Sequence, residues 1–189
     1  MPNGEISSKE IRRQLTNRYP YLLPRRLTDN KVPSDYDYEY VLGEGSLPSG
    51  WFPLFLQCCE DILGPLKDDG DEHRFRFLQI KEKYGSMRLY NNGASGKVLG
   101  ILDKYEFLSQ QVCTVCGKPA TVMTSGYICP YCSEHVRGTM ANVDDSELIE
   151  LQTSYVKKIW SPDGITDYEV DCSDEWNRYL KRIGYVNET

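Results

Sequence analysis

The chain has 189 residues, 40% of them hydrophobic and 26% charged, with a net charge of −6. That length suits one ordinary domain, or a domain with a small appended module, and it is enough to bury a core. The acidic balance argues against indiscriminate nucleic-acid binding, and no run approaches the roughly 18 apolar residues of a membrane span.

Charge is unevenly distributed. Residues 1–30, 73–112 and 113–142 sum to +3, +4 and +1, whereas 31–72 and 143–189 sum to −8 and −6. An anion-binding face is therefore expected from the first or third block. The opening Met1-Pro2-Asn3-Gly4 carries no basic-then-apolar leader, which predicts a cytoplasmic protein. Seven cysteines, an odd number, suit a reducing compartment. Fourteen tyrosines fit either an interface or a polar-rich core.

Ser7 followed by Glu10 reads as a capping box, opening a basic helix over about 8–18 with Ile11 and Leu15 on one face. Residues 19–50 are rich in Pro and Gly and predict irregular chain. Within them, Tyr36-Asp37-Tyr38-Glu39-Tyr40 alternates aromatic and acidic side chains, which predicts an edge strand. Trp51, Phe55, Cys59, Ile62, Leu63 and Leu66 recur at helical spacing after Pro53. Gly64-Pro65 is expected to end or kink that helix. The acidic run Asp68–Glu72 reads as a solvated turn.

Residues 74–91 predict a β-hairpin. A two-residue turn at Gly85-Ser86 would set Tyr84 opposite Met87, Lys83 opposite Arg88 and Lys81 opposite Tyr90. Period-two alternation then collects Lys81, Lys83, Arg88 and Tyr90 on one face, and Ile80, Glu82, Tyr84, Met87 and Leu89 on the other. Lys83 directly opposite Arg88 is unfavourable unless the face is well solvated or meets an anion or acidic partner. Ser95 caps a further helix over about 96–111, with Val98, Ile101, Leu102, Tyr105, Leu108 and Val112 on its apolar stripe.

That helix runs into the most specific motif in the chain: Cys113-x2-Cys116, twelve residues beginning with Gly117, then Cys129-x2-Cys132. Two thiolates two residues apart chelate one metal from a tight turn, and two such pairs complete a tetrahedron. The motif predicts one structural zinc ion (Zn2+) held by Cys113, Cys116, Cys129 and Cys132. His135 is able to replace one cysteine, but four thiolates already close the shell, and a closed shell leaves no open position for catalysis. Thr121–Met123 and Tyr127-Ile128 predict a short hairpin between the pairs. Ser133-Glu134-His135 predicts a helical turn after the second. The module therefore reads as a treble clef, with a zinc ribbon as the alternative. Beyond it, 144–151 is ambiguous between helix and strand. Tyr155–Trp160 and Ile165–Val170 predict strands about a turn at Pro162–Gly164, and Ser173 opens a last helix.

Together these elements predict an α+β fold: a small antiparallel sheet flanked by helices, with the strand at 165–170 joining the hairpin's sheet. The divisions are an N-terminal helix and Pro/Gly-rich arm (1–50), a helix–hairpin–helix core (51–112), a zinc module (113–140) and a C-terminal αβ tail packed on the core (141–189).

The run Phe77–Tyr90, with Lys81-Glu82-Lys83-Tyr84-Gly85, Arg88 and Tyr90, followed by a helix and the two cysteine pairs, resembles a family of uncharacterised phage, prophage and bacterial proteins. Their shared pattern is Lys-Glu-Lys-(Phe/Tyr)-Gly before a two-knuckle zinc motif. The resemblance covers about residues 51–135. It implies zinc and a phage-related origin, hence the cytoplasm of a bacterial host, and carries no implication about mechanism.

His73 and His135 are the two histidines. With no nucleophile elbow, phosphate-binding loop or HExxH motif, catalysis has little sequence support. The expectation is a zinc-stabilised binding protein whose partner is another protein, a host or defence factor that it inhibits or adapts. Nucleic acid, a small anionic ligand such as a nucleotide, and an enzyme with a site assembled only in three dimensions are the alternatives. Lys81, Lys83, Arg88 and Tyr90 are the candidate binding residues.

Overall fold

The computed structural model describes residues 8–23, 25–26, 28–29, 31–32, 47–136 and 142–185. Ser7 of the capping box and the Tyr36–Tyr40 segment lie outside the described residues. Among those described, four α-helices and seven strands follow in order: α1 (Ser8–Arg18), α2 (Phe52–Asp68), β1 (Arg76–Lys83), β2 (Ser86–Asn92), α3 (Gly96–Ser109), β3 (Val122–Ser125), β4 (Pro130–Tyr131), β5 (Asn142–Leu148), β6 (Ser154–Ser161), β7 (Gly164–Asp171) and α4 (Ser173–Arg182). The class is α+β. The strands form three small antiparallel sheets, β1-β2, β4-β3-β5 and β6-β7. β7 thus pairs with β6 and does not join the first hairpin.

α2 is the spine of the core. Trp51, Leu54, Phe55, Cys58, Cys59, Ile62 and Leu66 are buried, while Leu63 faces outward. The helix passes through Gly64-Pro65 to Asp68. Pro65 stands in the last turn, where its missing N–H costs one bond to the Asp61 carbonyl. The N–H groups of Asp69 and Asp71 donate to the Pro65 and Leu66 carbonyls, closing the end. A 3-10 turn at Pro20–Leu22 is hooked on by Tyr21, whose hydroxyl donates to the Cys59 carbonyl at 2.7 Å. Its ring meets Phe75 and Phe77 edge-on at 5.5 and 5.9 Å.

The β1–β2 hairpin turns at Tyr84-Gly85, not Gly85-Ser86. Both residues have positive φ, 54° and 74°, the signature of the turn type that matches strand twist. Lys83 therefore faces Ser86, and Lys81 faces Arg88. The pairing is two residues away from the expected one, and an even shift leaves the strand side chains on their predicted faces, while Tyr84 moves into the turn. A bulge at Leu78 sets the phase so that Phe77 and Ile80 both point into the core.

α3 begins where expected: the Ser95 hydroxyl accepts from the Val98 N–H. It buries Val98, Leu102, Tyr105 and Leu108 against α2 and β2. α4 closes the core with Trp176 and Tyr179. A polar seam fixes its register on α2. Arg178 forks onto Asp61 with both bonds at 2.7 Å, Arg182 forks onto Glu60 at 3.0 Å, and the Tyr105 hydroxyl donates to Asp61 at 2.5 Å.

The stretch that was ambiguous in sequence, 144–151, supplies β5, which adds to β3 at the edge of the small sheet. Among the described residues no helix is long and apolar enough to cross a membrane.

Candidate metal centre

The first cysteine pair sits on a knuckle inserted into the core. Gly117 N–H donates to the Cys113 carbonyl at 3.0 Å, and Cys113 N–H to the Lys118 carbonyl at 2.9 Å. Gly117 turns the knuckle at φ +77°. The 3-10 turn Ser49–Trp51 lies directly against it: Gly50 N–H donates to the Thr114 carbonyl at 2.9 Å, and a Cβ on Gly50 would stand 2.2 Å from the Cys113 oxygen. Trp51 Nε1 donates to the Val112 carbonyl at 2.8 Å. From the other side the Tyr179 hydroxyl donates to the Gly117 carbonyl at 2.5 Å.

The second knuckle follows the β3–β4 hairpin. Cys132 follows β4 and opens a helical turn, its carbonyl accepting the N–H groups of His135 and Val136, both at 3.0 Å. Three residues along such a turn, the His135 ring returns over the Cys132 sulfur.

These local geometries bring four donors together. The sulfurs of Cys113, Cys116 and Cys132 and a ring nitrogen of His135 all lie within 4.8 Å of one another. Cys116 and Cys132 are 3.7 Å apart sulfur to sulfur, Cys113 is 3.7 Å from His135 Nδ1, and Cys132 is 3.1 Å from it. With metal–sulfur bonds of about 2.3 Å and metal–nitrogen bonds of about 2.0 Å, a tetrahedron has edges of about 3.8 Å (S–S) and about 3.5 Å (S–N). Two of the three separations match those edges, and the third is somewhat short. The cluster is able to hold one metal ion, and three thiols with an imidazole are compatible with zinc. All seven cysteines are free thiols.

Three of the four sequence-predicted ligands are in the cluster. Cys129 is the exception, and His135 stands in the fourth place. Cys129 is buried; its N–H donates to Thr124 Oγ1, and its carbonyl accepts from the Thr124 N–H, each at 3.1 Å. It therefore ties the β3–β4 loop. The C-x2-H spacing from Cys132 to His135 was the available signal for the fourth donor.

The surroundings already favour one thiolate. Burial opposes ionisation of Cys113, but the N–H groups of Cys132, Cys116 and Val115 point at its sulfur and hold its pKa below the ordinary thiol value. Burial, and then the neighbouring Cys113 sulfur, push Cys116 up to about 12. Thiolates packed this closely repel one another, and a divalent cation at their centre removes that penalty.

The first hairpin's tip leans on this module. A Cβ on Gly85 would meet Met123 Sδ at 2.9 Å and Ile128 Cγ2 at 3.2 Å, and Tyr127 Oη lies 3.5 Å from Glu82 Oε2. Of the predicted binding residues, Lys83 and Tyr90 are exposed, while Lys81 and Arg88 are half-buried. Arg88 is paired with Glu106 at 3.1 Å. Lys81 Nζ stands over the Tyr90 ring at 5.2 Å, and Lys83 Nζ over Tyr84 at 5.4 Å. Sequence reasoning placed Tyr84 on the opposite face; at the turn it is instead 71% exposed beside Lys83. Tyr127, beside Glu82, is 66% exposed. Among the described tyrosines, Tyr19, Tyr21, Tyr105 and Tyr179 fill the core, whereas Tyr84, Tyr90, Tyr127 and Tyr168 face solvent.

Fold and site together define a small α+β protein built around a four-donor Cys3His cluster. Comparison with protein-family models, with curated proteins and with solved structures returns no match.

Proposed function

We propose that the chain is a zinc-stabilised binding protein whose β1–β2 hairpin docks an acidic or anionic partner. The carrying observation is that neither Lys81 nor Lys83 has a carboxylate partner among the described residues. Each ammonium group instead sits over a tyrosine ring, exposed Lys83 over Tyr84 at the turn and half-buried Lys81 over Tyr90 farther along the hairpin. Arg88, paired with Glu106, acts as a strut and not as a free cation. The donor set supports zinc, because three thiolates and an imidazole suit a borderline-soft tetrahedral ion. A closed shell of four protein donors makes the metal structural. The knuckle, the hairpin and the helical turn after Cys132 support a treble-clef-like module.

A folded protein is the preferred partner class. Exposed tyrosines beside cations make effective protein contacts, and the overall charge of −6 weighs against nucleic acid. The resemblance to phage-borne proteins directs attention to a host or defence factor. The test is affinity capture from host lysate with the metal-loaded wild type and a Lys81→Ala/Lys83→Ala variant. Proteins, nucleic acid and small anions in the eluate are identified, and the captured species is then titrated in purified form. At least a tenfold loss of affinity in the variant supports the reading. Unchanged affinity for the purified partner overturns it. A steep salt dependence with nucleic acid in the eluate selects the nucleic-acid alternative.

A further inference from the structure

We infer that the outer face of the β6–β7 hairpin pairs with the same face of a second copy of this chain. Two-stranded hairpins are marginal in water without a covering surface. This one has two eight-residue strands, none of whose residues is buried; only Ser154, Tyr155 and Val170 are even half-covered. Its inner face looks toward α3. The Tyr155 ring meets Phe107 at 4.7 Å, and Lys157 is ion-paired with Asp103. An open groove of about 690 Å3 lies between that face and the helix.

The outer face looks away from α3. Alternation and the observed register place Trp160 opposite Ile165, Lys158 opposite Asp167 and Val156 opposite Glu169 on it. Trp160, Val156 and Ile165 are 77, 60 and 50% exposed. An apolar end of this kind, at the free tip of a hairpin, is costly to leave in water.

The charges say which arrangement covers it. β6 carries Lys157 and Lys158, and β7 carries Asp167, Glu169 and Asp171. Antiparallel pairing of β6 with β6 of a second copy, or of β7 with β7, sets like charges side by side. Pairing β6 with β7 edge to edge does not close and would build fibres. Stacking face to face about a twofold axis across the strands lays Lys158 over Lys158. Stacking about a twofold axis along the strands lays each residue over the cross-strand neighbour of its copy. Trp160 then covers Ile165 of the second copy, and Lys158 meets Asp167 of the second copy, twice over by symmetry. Glu169, held by Ser154 Oγ at 2.9 Å, then lies over Val156 of the second copy. The arrangement is self-complementary, as a twofold interface requires.

The face is about 27 Å long and about 10 Å wide, well below the roughly 800 Å2 per partner of a standard interface. The dimer is therefore weak and concentration-dependent.

Sedimentation equilibrium of the metal-loaded full chain, from micromolar to millimolar concentration, reads it directly. The expected weight-average mass rises from 21.8 kDa toward twice that value. Trp51 and Trp176 are buried, so the red edge of the emission belongs to Trp160, and it should shift to the blue over the same range. Trp160→Glu should hold the chain monomeric at every concentration. Lys158→Asp should weaken association at least tenfold, and Lys158→Asp/Asp167→Lys should restore it, which a merely apolar contact would not do. A wild type that stays monomeric to millimolar concentration overturns the inference. So does association that survives Trp160→Glu, or charge reversal without rescue in a variant whose hairpin amide shifts remain native.

Discussion

The hydroxyl of Tyr179 on α4 donates to the carbonyl of Gly117 at 2.5 Å, joining the last described helix to the metal knuckle. Tyr179 is fully buried, so its loss strands a buried carbonyl. Tyr179→Phe should cost about 1–3 kcal/mol in chemical denaturation. It should also speed metal loss to a chelator, because the knuckle loses the prop behind it. Equal metal-release rates in the two proteins would show that α4 does not support the knuckle.

The ligand set is decided by stoichiometry. Cys113→Ser, Cys132→Ser and His135→Ala should each drop bound metal well below one per chain and destabilise strongly, since structural metal affinity is folding free energy. Cys129→Ser should keep its metal and lose only the packing of the β3–β4 loop. Elemental analysis of the purified variants checks this. Metal retained in His135→Ala and lost in Cys129→Ser would assign the four-thiolate set.

Tyr84 holds φ +54° with its ring largely in solvent. A side chain in that region costs about 1–2 kcal/mol, and an asparagine there costs less. Tyr84→Asn should therefore stabilise the hairpin by about 1 kcal/mol, read as a raised urea midpoint. On the proposed function the same change should weaken partner binding. Stabilisation with no loss of binding would show the tyrosine to be incidental.

The Arg182 guanidinium, hydrogen-bonded to Glu60, holds that carboxyl below its ordinary value against the opposing effect of burial, with help from the charges of Arg182 and Arg18. A depressed folded-state pKa contributes stability above the unfolded value, and that contribution is lost as pH falls through the folded value. Urea melts between about pH 7 and about pH 3 should show stability declining below the ordinary value of 4.5. Glu60→Gln should be less stable at neutral pH, with a shallower acid limb. Parallel curves would assign the acid limb to other groups.

Much of the fold was legible because local rules and tertiary packing agree. The helix at 8–18 starts and stops as its spacing predicts, and Ser95 caps α3. The hairpin turn was misplaced because a bulky residue at positive φ breaks the local rule, while Met123 and Ile128 come so near Gly85 that a side chain there would clash. Helix α2 survives Pro65 because Leu66 is buried beneath it. β5 has no periodicity of its own and becomes a strand because β3 offers an edge. At the candidate site, three ligands followed from spacing. The fourth depended on how the chain turns after Cys132, where a histidine three residues on competes with a cysteine three residues back. Arg88 looked like a free cation until Glu106, far along the chain, was placed beside it.

Gly50 touches the knuckle so closely that the metal module cannot come away as a separate tail. On the zinc-bound reading, this ties the lifetime of the whole protein to metal supply. Each tenfold fall in free metal ion, above the dissociation constant, removes about 1.4 kcal/mol from the folded state. Chains that lose their metal expose the core around Trp51 to proteases. The amount of protein in a cell would then rise and fall with metal availability, with no change in its synthesis.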